Sequence, residues 1–257
     1  GYAQLEGADG VVVEQLPGTN WIGLQMNTTR PPWDSIDARL AVAKAIDTQE
    51  FVEKARFGLA EPSHGPIAPA FAWAYVPADE LDENPQAFNL DEAKQLAEQA
   101  GIAGAKPVLL TGASDDRNEQ QLRNQLQDMG LDVQLDKVDA AVYNERWEAG
   151  DYDWAIQGSV VDADPDDNAY NFFYPDGAWN TGKWNNDEAK RLLDLERSTS
   201  DQEQRAQAFQ DLMRLTQAEA PVAFLYHQFD LPGFRDYVKG YRTIPEMRYL
   251  ETVWLDK

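Results

Sequence analysis

Residues 108–158 read VLLTGASDDRNEQQLRNQLQDMGLDVQLDKVDAAVYNERWEAGDYDWAIQG. Val108-Leu109-Leu110 predicts a strand, Asn118 to Met129 an amphipathic helix and Val133-Gln134-Leu135 a second strand. Val142 to Ala149 then predicts a helix, and Tyr152 to Gly158 a third strand. The order β-α-β-α-β is the pattern of an α/β domain with a mainly parallel sheet covered by helices. Open sheets of this kind bind ligands beyond the carboxyl ends of their strands. Here the third strand runs through Ser159-Val160-Val161 into Asp162-Ala163-Asp164-Pro165-Asp166-Asp167, so an apolar run ends abruptly in carboxylates. Tyr170, Phe172, Phe173, Tyr174, Trp179 and Trp184 follow, mixed with Asn168, Asn171, Asn180, Asn185 and Asn186. Ring faces supply contact area and amides supply orientation, which suits a ligand cleft. Taken singly, each aromatic would equally suit a core and each acid a solvated turn.

On the amino-terminal side, Val11-Val12-Val13 and Trp21 to Met26 read as an opening hairpin around the turn Pro17-Gly18-Thr19-Asn20. A helix is expected from Ser35, and Asp47-Thr48-Gln49-Glu50 has capping-box spacing for a second helix stopping near Gly58. Residues 61–89, rich in Pro, Gly and Ala without a clean period, predict a long ordered loop. Asn89-Leu90-Asp91-Glu92 caps a helix ending at Gly101. On the carboxyl-terminal side, Asp187 to Arg197 and Asp201 to Glu219 predict helices. Val222 to Tyr226 is an apolar strand, and short strand-like runs continue to Trp254.

The 257 residues suffice for one large domain or two modest ones. Forty-five acids against 22 Lys plus Arg give a net charge of −23, which argues against nucleic acid or an anionic membrane surface as partner. With no cysteine and only His64 and His227, disulfides and thiolate chemistry are excluded, and zinc sites or a histidine triad have almost no material. No apolar run reaches membrane-span length, and Gly1-Tyr2-Ala3-Gln4 has no signal-peptide character. Asp162, Asp164 and Asp166 imitate the first three ligands of a calcium loop, but Asp167 stands where that loop needs Gly and Phe173 where it needs an acid. Leu110-Thr111-Gly112-Ala113-Ser114 lacks the Lys and spacing of a phosphate loop. Paired carboxylates beside Trp and Tyr leave a carbohydrate-active enzyme as the alternative reading. No metal or other cofactor is expected. His227, directly after an apolar strand, is a candidate ligand contact, though a satisfied structural histidine is the commoner outcome.

Several segments together resemble the large extracytoplasmic solute-binding proteins of ATP-driven importers for oligopeptides, dipeptides, nickel chelates and some oligosaccharides. Asp37-Ala38-Arg39-Leu40-Ala41-Val42-Ala43-Lys44-Ala45-Ile46-Asp47 is similar to that family's D-x-R helix, and Gly58 with Pro62 to its G-x-x-x-P step. Asp91 to Gly101, Gln125-Leu126 with Met129-Gly130-Leu131-Asp132-Val133, Tyr152-Asp153, Asp164-Pro165, Pro221 to Tyr226 and Val238-Lys239-Gly240 follow in family order. The resemblance covers the carboxyl-terminal half of a bilobal protein about twice this length. It implies a periplasmic-binding-protein-like lobe at 30–227, with 1–29 and 228–257 as terminal strands belonging to the other, missing amino-terminal lobe. It also implies a non-enzymatic binding protein, periplasmic or a cell-surface lipoprotein, with a peptide or small-molecule ligand and a membrane permease as partners. An oligosaccharide-binding member of the same family is the alternative within that resemblance. By position Asp162 would pair with a peptide's α-ammonium group, while Ser159 stands where peptide binders often carry Trp. Trp179, Asn180 and Tyr226 fall near cleft positions. Ser159, Asp164 and His227 complete the expected ligand-binding set.

Overall fold

The computed structural model describes residues 2–81, 83–112, 116–159, 162–244 and 247–257. Ala113 and Ser114, and Val160 and Val161 ahead of Asp162, lie outside the described residues. The chain opens with α1 (Tyr2–Leu5), β1 (Val11–Val13) and β2 (Ile22–Met26). Ser35 caps α2 (Ile36–Lys44) by accepting the Ala38 N–H, and Asp47 caps α3 (Thr48–Arg56) by accepting the Glu50 N–H, satisfying amide donors that the first turn leaves without partners. α3 stops where Phe57 and Gly58 both take positive φ, 57° and 73°. After β3 (Ala60–Pro62) the expected long loop contains one 3-10 turn, Ala78–Glu80. Asn89 then caps α4 (Leu90–Gln99).

The stretch that opened the sequence reading folds as β4 (Val108–Thr111), α5 (Asp116–Met129), β5 (Gln134–Lys137), α6 (Ala140–Ala149) and β6 (Trp154–Gly158). An unexpected helix follows, α7 (Asp166–Phe173), then α8 (Asp187–Ser198), α9 (Gln202–Glu219) and β7 (Val222–Gln228). The tail carries β8 (Gly233–Arg235), β9 (Val238–Lys239), β10 (Arg242–Ile244), β11 (Met247–Tyr249) and β12 (Trp254–Leu255).

The main sheet has six strands in the order β3-β7-β2-β6-β4-β5. β4 pairs parallel with β5 and with β6, whereas β2 joins β6 and β7 antiparallel and β3 joins β7 antiparallel. Four of the six strands, β4, β5, β6 and β7, therefore point the same way, and their carboxyl ends share one edge with the amino ends of β2 and β3. The expected opening hairpin does not form. β1 pairs antiparallel with β8, and β2 enters the centre of the sheet. The reason is burial, since Leu24 and Met26 are fully enclosed while β1 has only partial cover. Outside this sheet, β1-β8, β9-β12 and β10-β11 are two-stranded ribbons.

Alternate side chains of the sheet feed two cores, as the pleat requires. Leu24, Met26, Trp154, Ala223 and Leu225 pack against α2, α3, α4 and α5 on one face. Trp21, Val222 and Phe224 pack with Phe172, Phe173, Phe209, Leu212 and Met213 on the other. Arg39, the basic residue of the helix motif, is buried and links the layers. Its Nε donates to the Glu219 carbonyl at 2.9 Å and its Nη1 to the Trp33 carbonyl at 2.8 Å, so a cation sits against the carbonyl-rich end of α9.

Candidate functional site

The shared edge is organised by the segment Thr19-Asn20-Trp21, which runs between the end of β6 and the end of β7. The Trp21 N–H donates to Ser159 Oγ at 2.9 Å, and the Ser159 N–H donates back to the Trp21 carbonyl at 2.9 Å. Thr19 is buried, and its hydroxyl accepts the Asp162 N–H at 3.0 Å. On the other flank His227 Nδ1 lies 2.9 Å from the Asn20 carbonyl, and the Gln228 N–H donates to Asn20 Oδ1. Such close approach tolerates no side chain at two glycines. A β-carbon at Gly18 would stand 1.8 Å from the Gln228 carbonyl oxygen, and one at Gly158 would stand 2.1 Å from Ile22 Cδ1.

The three alternating acids have different surroundings. Asp164 holds Arg205 through two bonds, 2.7 and 3.0 Å, and also accepts the Asp166 N–H at 3.0 Å. Asp166 holds Arg197 at 2.7 and 3.2 Å. The Asp162 carboxylate accepts only the N–H of Ala163, at 2.6 Å, and no cation pairs with it among the described residues. A carboxylate offers about four acceptor positions, so Asp162 keeps capacity that its two neighbours have committed to arginines.

Tyr226 and His227 point into different surroundings. The Tyr226 ring stacks on Phe51 at 6.2 Å, lies under the Arg56 guanidinium, and its hydroxyl accepts from Asn118 Nδ2 at 3.0 Å. His227 is buried. A carbonyl can only accept, so Nδ1 carries the proton and Nε2 is the bare nitrogen, which has no hydrogen-bond partner. Burial pushes the His227 imidazole down to about 4, with the hydrogen bond to Asn20 opposing that shift.

Trp179 and Asn180 are further off. Trp179 reaches the edge only through rings, packing on Phe172 at 5.4 Å, which in turn meets Trp21 at 4.7 Å edge-on. Its carbonyl accepts from Gln25, whose Oε1 receives Trp147 Nε1 and the Tyr152 hydroxyl, each at 3.0 Å. Asn180 is buried, and its Nδ2 donates to the Trp184 and Tyr174 carbonyls while its Oδ1 accepts the Trp184 N–H. It closes the turn between α7 and α8. Asn180→Ala is expected to leave these groups without partners and lower stability by about 2 kcal/mol, read by urea unfolding.

Sequence reasoning missed Thr19 and Asn20, which looked like ordinary turn residues. A polar pair between Pro-Gly and a tryptophan that starts a buried strand was the available signal. It also missed Tyr143, whose hydroxyl donates to the Ile156 carbonyl at 3.1 Å and accepts from Gln157 Nε2 at 2.7 Å, two residues before Ser159. Burial raises Tyr143 to about 12, so it remains a neutral donor.

A family model described as bacterial extracellular solute-binding proteins, family 5 Middle, matches residues 1–181. The chain is 28% identical over 241 residues to the "Probable D,D-dipeptide-binding periplasmic protein DdpA" of Escherichia coli (strain K12), covering 90% of this chain and 45% of that protein. It is 25% identical over 234 residues to the oligopeptide-binding protein OppA of Bacillus subtilis (strain 168), covering 85% and 41% respectively. The structure of the periplasmic binding protein DppA from Helicobacter pylori in complex with the peptide STSA superposes with a TM-score of 0.86 at 25% identity, over 99% of this chain and 51% of that one. The chain thus spans about half the length of the proteins it matches.

Proposed function

Because this chain belongs to the bacterial extracellular solute-binding proteins of family 5, we propose that it captures peptides or similar small solutes between two lobes for an ATP-driven importer. Residues 30–227, together with the central β2, would form one ligand-holding lobe. The outer strands of 1–29 and 228–257 would lead to the other lobe. The protein works outside the cytoplasmic membrane, docks on a membrane permease after closing on its ligand, and performs no chemistry on it. The relatives' names mention peptides and dipeptides, which supports a peptide as the first ligand class to test.

The observation that carries this reading is Asp162. It stands at the carboxyl-end edge of the sheet, its backbone is fixed by buried Thr19, and among the described residues no cation holds its carboxylate, while Asp164 and Asp166 hold arginines. An ammonium group brought there by a ligand would find a strong charge-assisted acceptor. Trp21, Phe172 and Trp179 form the aromatic body behind it.

The test is calorimetry on the protein carrying both lobes, with trialanine and N-acetyl-trialanine as probes. Parent protein should prefer the free amino terminus. Asp162→Asn should weaken that peptide by roughly 30-fold or more, the usual effect of losing one partner of a desolvated charge pair, and leave the acetylated peptide unchanged. Equal binding of both peptides by the parent would exclude the Asp162 role, whereas binding of neither would exclude short peptides as the ligand.

A further inference from the structure

Immediately after the Asp162 turn, five charged groups from four segments meet: Asp164 in the turn, Asp166 at the start of α7, Glu196 and Arg197 at the end of α8, and Arg205 on α9. Arg205 bridges two of the acids, holding Asp164 through two bonds while its Nε donates to Glu196 Oε2 at 3.1 Å. Arg197 grips Asp166 through Nε and Nη2. Its guanidinium lies over the Tyr170 ring, 3.4 Å from the centroid. The rings of Trp73 and Phe209 flank Arg205 at 5.2 and 5.6 Å.

Glu196 is the anomaly. It is 1% exposed, and its second oxygen, Oε1, is shielded from solvent and receives no hydrogen bond. The nearest cationic nitrogen, Arg197 Nε, is 3.8 Å away, too far to donate usefully. That same Arg197 Nε stands 2.7 Å from Asp166 Oδ1, so the carboxyl groups of Glu196 and Asp166 lie on either side of one guanidinium. Two carboxylates cannot bond each other, because neither has a donor. Three ionised acids against two guanidiniums would also leave one net negative charge around a side chain that water does not reach. Isolated buried charge is avoided by taking up a proton.

We propose that Glu196 is a neutral carboxylic acid in the folded protein, donating from Oε1 to the Asp166 carboxylate, so that the cluster is an electrically neutral clamp fixing the Asp162 turn to α8 and α9. The electrostatics run in the same sense. Burial, then Asp166, raises Glu196 to about 8 despite the opposing Arg205. Burial would raise Asp166 too, but the bond from Glu196 and the Arg197 guanidinium outweigh it and hold Asp166 below the ordinary carboxylate range. The groups facing Glu196 are Asp164 from the turn, Asp166 and Tyr170 from α7, Arg205 from α9 and Arg197 from its own helix. When the proton leaves, Glu196 and Asp166 repel each other, and α7 is tied to α8 here only through Arg197, which keeps Asp166 and the Tyr170 ring.

No ligand is needed to test this clamp. Carbon-13 NMR of the side-chain carboxyls in the whole chain, assigned through bonds, should show Glu196 titrating near pH 8 with Asp166 reporting the same midpoint. A Glu196 midpoint in the ordinary range between pH 4 and 5 would overturn the proposal. Linkage supplies a second readout. The folded chain holds one more proton than the unfolded chain above pH 4.5, so its folding constant should fall by up to about tenfold per pH unit until Glu196 ionises. Between pH 6.5 and 8 the histidines, half charged in the unfolded chain at pH 6.5, contribute equally to the parent and to Glu196→Gln, so the difference between the two isolates this group. The parent's stability should fall relative to that of Glu196→Gln across this window, and a constant difference between the two would also overturn the proposal. Should the variant not fold, the NMR titration of the parent decides alone.

Discussion

Trp21→Ala is expected to destabilise the chain by about 3–5 kcal/mol, the range for removing a large aromatic from a core. Trp21 is fully buried and touches three rings, Phe172 at 4.7 Å, Phe224 at 5.3 Å and Phe173 at 5.9 Å, the first two edge-on. Those contacts join β2, α7 and β7, so the cavity would open where three elements meet and none can move in without leaving another. Among the described residues its Nε1 has no hydrogen-bond partner, so Trp21→Phe loses volume but no polar bond and should cost less than half as much. Denaturant unfolding measures both. Equal losses for the two variants would mean that the indole makes a bond the ring packing does not reveal. The backbone of Trp21 also clasps Ser159, so Trp21→Ala should loosen the Asp162 turn as well.

Acidification from pH 6.5 to 4 should remove about 3 kcal/mol of stability through His227 alone, the figure that corresponds to its displacement from 6.5 to about 4. The sign follows from which state binds the proton. In the unfolded chain His227 charges below pH 6.5, whereas in the fold it stays neutral until about 4. Falling pH therefore favours unfolding across that window. His64, also held low by burial, adds in the same direction, while Glu196 opposes both. The difference between parent and His227→Gln isolates the one imidazole. Glutamine keeps an N–H for the Asn20 carbonyl but does not titrate, so the variant's curve should be flatter between pH 6.5 and 4. Parallel curves would show that His227 is protonated inside the fold.

The parallel half of the sheet was legible because its information is local. Val108 to Gly158 contains its own strands, caps and helical period, and Asp47, Asn89 and Ser35 announced helix starts through side chains that bond amides within three residues. What failed was long-range. Nothing in Val11-Val12-Val13 names Gly233 to Arg235 as its partner, and neighbouring strands with turn residues between them read naturally as a hairpin. α7 was missed because Phe172 and Phe173 read as cleft aromatics, whereas together with Ala169 they form a buried stripe in the core that holds Trp21. At the site, Asp162 could be singled out as the end of a strand. That Asp164 and Asp166 are bound to Arg205 and Arg197 could not, because those arginines lie 41 and 31 residues further along the chain.

The position of β2 bears on the order in which the chain can assemble. Its partners are β6, closed by residue 158, and β7, which begins at Val222. A chain made from its amino end can pair β2 with β6 and β4 with β5 while β7 is still unmade. Until β7 arrives, the open side of β2 offers free amides and carbonyls flanked by Leu24 and Met26, the kind of edge that recruits strands from other molecules. Closing a contact across some two hundred residues is slow. Keeping that edge away from other nascent strands until Gln228 is in reach is therefore a requirement this topology places on the cell that makes it.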